Sequence, residues 1–186
     1  MIDFEINSND ELSNLIIKKG ISSWAQLVLF IKHLPYGRNA NRIDSKLVIL
    51  EQKGTCSSKH ALLKRIANLN GRNDIDLIIG IYKMNSINTP DIGNILLENH
   101  LNYIPEAHTY LRYKNQTIDA TSAVSDFKKI ANDIIVEKSI EPLQVGDFKI
   151  NYHQKFIQSW IIEEESHFSF EKIWKIREQC IQNLSQ

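Results

Sequence analysis

The segment Gly54-Thr55-Cys56-Ser57-Ser58-Lys59-His60-Ala61-Leu62-Leu63 constrains this chain more than any other, because it sets a thiol at the start of a helix. A helix start presents unpaired N–H groups and a partial positive charge, and both favour thiolate over thiol. Gly54 fits an abrupt turn into that helix and lets another group approach the sulfur closely. Asn70-Gly71 reads as the helix end, with Ala61, Leu62, Arg65, Ile66 and Leu69 spaced as a buried stripe. A cysteine so placed is either a nucleophile or a small hydrophobe packed at a helix start.

Two later segments bear on that choice. His108 to Tyr113 alternates in strand fashion, Lys114-Asn115-Gln116 reads as a turn, and Thr117 to Ala120 returns as the second strand of a hairpin. In that hairpin Asp119 lies diagonally offset from His108, within reach when a bulge intervenes. An imidazole of pKa about 6.5 can serve a thiol as base when a carboxylate orients its other nitrogen. Singly, His108 reads equally as a half-buried strand histidine and Asp119 as a solvated hairpin acid. Jointly, Cys56, His108 and Asp119 are the parts of thiolate acyl-transfer chemistry.

The remaining pattern places this set in an α+β protein. Ser8, Asn9 or Asp10 can cap a helix to about Lys19, and Ser22 or Ser23 starts a second, buried one from Trp24 to about His33 that Pro35-Tyr36-Gly37 ends. Leu77 to Tyr82 predicts a central strand and Ile134 to Glu137 a further one. Thr89-Pro90-Asp91 opens a short helix to about Glu98. Residues from about Asn151 to Glu164 and Phe170 to Leu184 predict two more helices. Strands and helices are segregated rather than alternating, which favours an antiparallel sheet. With 42% hydrophobic residues, 186 residues suffice for one domain with a core of its own.

Composition excludes several classes. Basic and acidic residues balance at 22 each, so no basic surplus points to nucleic acid or an anionic membrane face. No stretch approaches the roughly 18 apolar residues of a membrane span, and the start lacks the features of a secretory signal. Two cysteines, Cys56 and Cys180, are too few for a disulfide framework, which fits a reducing, cytoplasmic compartment.

On Gly54 and Cys56, His108 and Tyr110, and Asp119 and Thr121, the chain resembles the transglutaminase-like superfamily of papain-type thiol enzymes. The resemblance covers roughly residues 24–121 and keeps the order Cys, His, Asp. It implies a cysteine-bearing helix packed on an antiparallel sheet that carries the histidine and aspartate, with extra helices before and after, the last spanning about 151–186. It implies acyl transfer from an amide or ester to water or an amine, on a peptide, protein or small amide substrate, with no cofactor. Thr109 and Tyr110 stand where the family usually has Ala and Trp, and Ala120 where it commonly has Pro.

The family's oxyanion hole needs a second donor besides the Cys56 N–H, and losing such a donor costs roughly 3 kcal/mol of transition-state stabilisation. No tryptophan lies between Trp24 and Cys56, so Tyr36, Asn39, Asn41 and Arg38 are the candidates, Tyr36 first because Pro35-Tyr36-Gly37 is a rigid turn. Glu106 and Tyr110 are further substrate-site candidates, although Glu106 reads more simply as an exposed strand-end acid. Lys59 near the thiol favours the thiolate. His60, four residues after Cys56, is a rival base or a metal ligand, but no CxxC or HExxH spacing supports zinc and no loop has calcium's alternating oxygens, so no metal is expected. Cys180 reads as packing, Glu163-Glu164-Glu165 as a solvated helix end, and His33, His100, His153 and His167 as surface or interface residues. The alternatives to an enzyme of this class are a catalytically silent peptide- or protein-binding domain and an arylamine-type N-acyltransferase.

Overall fold

The computed structural model describes residues 2–164 and 167–184. Two short helices open the chain, α1 (Glu11–Ile17) and α2 (Trp24–His33). Asp10 caps the first by accepting from the Leu12 and Ser13 N–H groups, and Ser23 caps the second in a reciprocal box with Gln26. Helix α3 (Lys46–Leu50) precedes α4 (Cys56–Leu69), and β1 (Ile75–Met84) follows. A 3-10 turn at Pro90–Ile92 and α5 (Ile95–Glu98) lead to β2 (Ile104–Tyr113) and β3 (Gln116–Ile118). After α6 (Lys128–Ala131) and β4 (Ile134–Ile140), a 3-10 turn at Pro142–Val145 feeds α7 (Asp147–Glu163) and α8 (Phe170–Asn183).

The four strands form one antiparallel sheet in the order β3-β2-β1-β4, so the fold is α+β. β1 lies centrally and is buried along almost its whole length, which accounts for its unbroken apolar run. Leu77, Ile79, Ile81, Ala107 and Leu111 project from one face into a core built with α1, α2 and α4. Tyr82, Met84 and Ile104 project from the other face against α5, α7 and α8, where Trp160, Ile176 and Cys180 meet them. Cys180 is fully buried, as a packing residue should be. At the helix end read as solvated, Glu163 and Glu164 are exposed, and Glu165 lies outside the described residues. No helix among the described residues is long and apolar enough to cross a membrane.

Several boundaries differ from the sequence pattern, each for a local reason. The helix read across Thr89 to Glu98 is broken at Gly93, whose φ of 70° no helix accepts. Thr89 makes no cap; its hydroxyl bonds Asn88 and Tyr82 instead. β2 begins at Ile104, four residues before His108, because apolar Ile104 and Ala107 continue its burial pattern. β3 ends at Ile118, paired with Leu111 in regular register, so Asp119 lies just beyond the strand and no bulge is involved. α7 begins at Asp147 rather than near Asn151, which brings Lys149 into its first turn.

The shortness of β3 matters most. From Tyr110 back to Ile104, β2 has no strand on its outer side among the described residues, a stretch of bare backbone that would invite pairing. Helices cover it instead. The N-terminus of α4 sits against Thr109, with Ser57 Oγ 3.4 Å from Thr109 Oγ1, and His153 on α7 bonds the Pro105 carbonyl through Nε2 at 2.8 Å. Proline, lacking an N–H, suits an uncovered strand position.

Candidate active site

Local chemistry fixes the start of α4. The Thr55 side chain accepts from the Ser58 N–H, and Ser58 Oγ takes the Thr55 N–H at 3.0 Å. A Cβ at position 54 would come within 2.9 Å of Lys59 Cγ and Ser58 Oγ, so only glycine allows the chain to enter the helix here. Cys56 is the first helical residue, and among the described residues its N–H has no acceptor.

The sulfur meets three groups drawn from distant parts of the chain. The His108 ring and the Thr109 N–H, on the outer side of β2, both lie near enough to favour its ionised form. Lys149 Nζ lies 3.8 Å away. Burial alone would raise the thiol pKa, but the Lys149 charge, His108 and the Thr109 N–H prevail and bring it down to about 6. His108 shows the converse: burial would lower it, yet the charge of Asp119, the hydrogen bond to it and the nearby Cys56 raise it to about 10. Both shifts run in the direction that favours a thiolate beside an imidazolium.

Asp119 holds the far nitrogen. Its Oδ2 is 2.9 Å from His108 Nε2, which leaves Nδ1 for the sulfur. Oδ1 accepts from the Thr121 N–H at 3.0 Å and the Thr121 hydroxyl at 2.6 Å, so the carboxylate cannot swivel. Burial opposes its charge, but His108 and these donors hold its pKa far below the carboxylate range. Tyr110 stacks beside the ring at 5.8 Å between centroids, and Gly80, paired with His108 in β1, has no side chain because a Cβ would lie 2.8 Å from the Tyr110 hydroxyl.

His60 does neither of the jobs its spacing suggested. It is fully buried, its Nδ1 bonds the Cys56 carbonyl at 2.7 Å, and its Nε2 accepts the Ala120 N–H at 2.8 Å. With both nitrogens engaged and burial bringing its pKa down to about 4, it is a neutral strut between the helix start and the Asp119 segment. Lys59 is another tie: its ammonium reaches the Leu34 and Thr121 carbonyls, each at 2.6 Å.

The C-terminal helices supply the other half of the site, which sequence reasoning treated as an extension. Lys149, 7% exposed, donates to Ser57 Oγ at 2.7 Å. Glu106 is buried rather than exposed: both arms of Arg177 on α8 grip it at 2.6 and 2.7 Å, and His153 approaches to 3.9 Å. Burial opposes the Glu106 charge, but Arg177 overcomes it and holds the carboxyl at about 2. His153, read as a surface or interface residue, is 2% exposed. Lysine and arginine on amphipathic helices look like solvated positions in sequence, and only the polar groups on β2 and α4 reveal their role.

Two clefts meet at Cys56. One, of about 200 Å³, runs past His108 and Asp119 toward Thr121, Ser122 and Asn88. The other, of about 360 Å³, runs past Lys149, Arg42 and Trp174. Tyr36 and Glu106 line both. The Tyr36 phenol is half-buried, stays protonated through burial and the nearby thiolate, and makes no hydrogen bond among the described residues. The other oxyanion candidates fall away. The Asn39 amide is spent on the Lys53 carbonyl, Glu51 and Ser58 Oγ, pinning its loop to α4. Asn41 is exposed, its side chain turned back on the Ile43 N–H, and Arg38 is paired with Glu178 at 2.7 Å. Tyr110 is fully buried and bonds Glu137, so it backs the histidine and faces no substrate. No family model, curated protein or solved structure matches this chain.

Proposed function

We propose that this chain is a cysteine-dependent acyl-transfer enzyme with a papain/transglutaminase-like core. One observation carries the reading: a single cleft is lined by Cys56 and by a histidine whose Nε2 is tied to a buried, doubly anchored carboxylate.

The steps follow from the groups present. The Cys56 thiolate attacks the carbonyl carbon of an amide or ester. The developing oxyanion meets the acceptor-free Cys56 N–H and the Tyr36 phenol. His108 then gives its Nδ1 proton to the leaving amine or alcohol as the C–N or C–O bond breaks, and a thioester remains on Cys56. Water or a second amine, deprotonated by the now neutral ring, releases the acyl group and restores the pair. Asp119 keeps the ring aligned and favours its protonated form.

Alkylation of Cys56 by iodoacetamide, followed by peptide mass mapping from pH 5 to 10, tests this. A reactive sulfur with a limb at about pH 6 is expected, and Cys56→Ala should abolish both that reaction and labelling by acyl esters while the fold persists. A single limb near the ordinary thiol value of about 8.5 would instead mean a silent domain.

A further inference from the structure

We infer that the cleft on the Lys149 side of Cys56 binds a carboxylate carried by the acyl part of the substrate, with Lys149 and Arg42 as its cationic partners. The inference rests on the acyl-transfer reading above and names the kind of acyl group it acts on.

Charge pairing in the cleft comes first. Four cations line it, Arg38, Arg42, Lys149 and Arg177, against two carboxylates, Glu106 and Glu178. Both carboxylates are already taken: Glu106 by the two arms of Arg177, and Glu178 by Arg177 at 2.5 Å and Arg38 at 2.7 Å. Among the described residues, neither Arg42 nor Lys149 has a carboxylate within ion-pair distance. Lys149 is nonetheless more than nine-tenths buried. A buried ammonium needs a counter-charge, and in the free protein the Cys56 thiolate at 3.8 Å provides it.

Acylation removes that counter-charge. When the sulfur bonds the acyl carbon and the amide C–N bond breaks, the thiolate becomes a neutral thioester, and the His108 proton leaves with the amine. Burial then opposes the Lys149 charge with only Glu106, itself gripped by both arms of Arg177, to support it, and Arg42 is close enough to add to its electrostatic burden. An acyl group that brings its own carboxylate, a few bonds from the scissile carbonyl, neutralises Lys149 and reaches Arg42 in the same cleft.

Direction is fixed by the proton. The leaving group must lie on the His108 side to receive it, which assigns the His108 cleft to the leaving amine or alcohol. The acyl chain therefore occupies the cleft opposite. The substrate class is an amide or ester of a dicarboxylic acyl group, such as the side-chain or main-chain carbonyl of an acidic amino-acid unit whose second carboxyl is free.

Two alkylating agents of nearly equal size, iodoacetate and iodoacetamide, differ by one negative charge and report on this cleft directly. In either reaction the sulfur displaces iodide, and the ratio of the two rates cancels any change in the sulfur's own reactivity. The rates at Cys56 are to be measured at pH 7 by peptide mass mapping in the wild type, Arg42→Gln and Lys149→Gln. The iodoacetate-to-iodoacetamide ratio is expected to fall about tenfold in the variants, the scale of one lost charge contact. A fall of about threefold or more in either variant supports the subsite, and a ratio changed by less than that in both overturns it. Arg42 is partly exposed, so its variant folds even if a change at buried Lys149 does not. The acyl-transfer reading fails on a different result, an ordinary-thiol pH profile for iodoacetamide in the wild type, which leaves the ratio readable.

Discussion

Two carboxylates are buried within reach of the same site, and they are held in different ways. Asp119 faces a histidine, a threonine hydroxyl and a backbone N–H. Glu106 faces a guanidinium that grips it with two arms. Imidazole can gain and lose a proton near neutral pH, and guanidinium cannot. The first pair can therefore serve proton movement. The second can only fix charge and position, drawing α8 onto β2.

Replacing each acid by its amide separates the two roles. Asp119→Asn should give the larger change in chemistry. The two Thr121 donors hold the amide oxygen where Oδ1 was, so the NH2 group faces His108 Nε2 and forces the ring's proton onto Nδ1. Acyl turnover should fall roughly 10³- to 10⁴-fold, a larger effect than the loss of stability that follows from giving up a charge held below its ordinary pKa. Equal loss of folding stability and turnover would make Asp119 a structural acid after all.

Glu106→Gln should do the reverse. Removing one partner of a buried ion pair costs roughly 3–5 kcal/mol, and the low end is expected because Glu178 still holds Arg177. Denaturant unfolding reads this directly. The pH dependence has a definite sign, since the folded carboxyl, at about 2, lies below its ordinary 4.5. Its stabilisation is complete above pH 4.5 and is lost as the pH falls from there toward 2, and in the amide variant this part of the acid slope should vanish. An unchanged slope would show that the pair does not contribute.

Thr121→Val is the finest probe, because it removes one of the two anchors on Asp119 and keeps the backbone one. A loss of about 1 kcal/mol, read as a roughly fivefold slower turnover, is expected. No change at all would mean the remaining N–H suffices to hold the carboxylate.

The same contrast separates what the sequence made visible from what it concealed. Cys56, His108 and Asp119 lie in segments whose local signals are strong: a glycine turn into a capped helix, and a hairpin with a polar turn. Even there the route was misjudged, since Asp119 reaches the ring from beyond the end of β3 and not through a bulge. The α+β class followed from segregated strands and helices. Lys149, His153 and Arg177 carried no such signal. A buried cation on an amphipathic helix has the same spacing as a solvated one, and its partners are 48 to 93 positions away in the chain. Glu106 looked exposed for the same reason: its guanidinium comes from the last helix. His60 misled in the other direction, because a spacing of four from Cys56 suits catalysis and bracing equally.

The cover that α7 lays over the edge of β2 also sets an order of events during synthesis. The cysteine leaves the ribosome 93 residues ahead of the lysine that tempers it. At roughly 5–20 residues per second, that is an interval of about 5–20 s in which the nascent thiol has neither its cationic neighbour nor its second cleft wall. Its full acidity arrives only when α7 and α8 dock, so a growing chain carries an ordinary thiol that becomes acidic last.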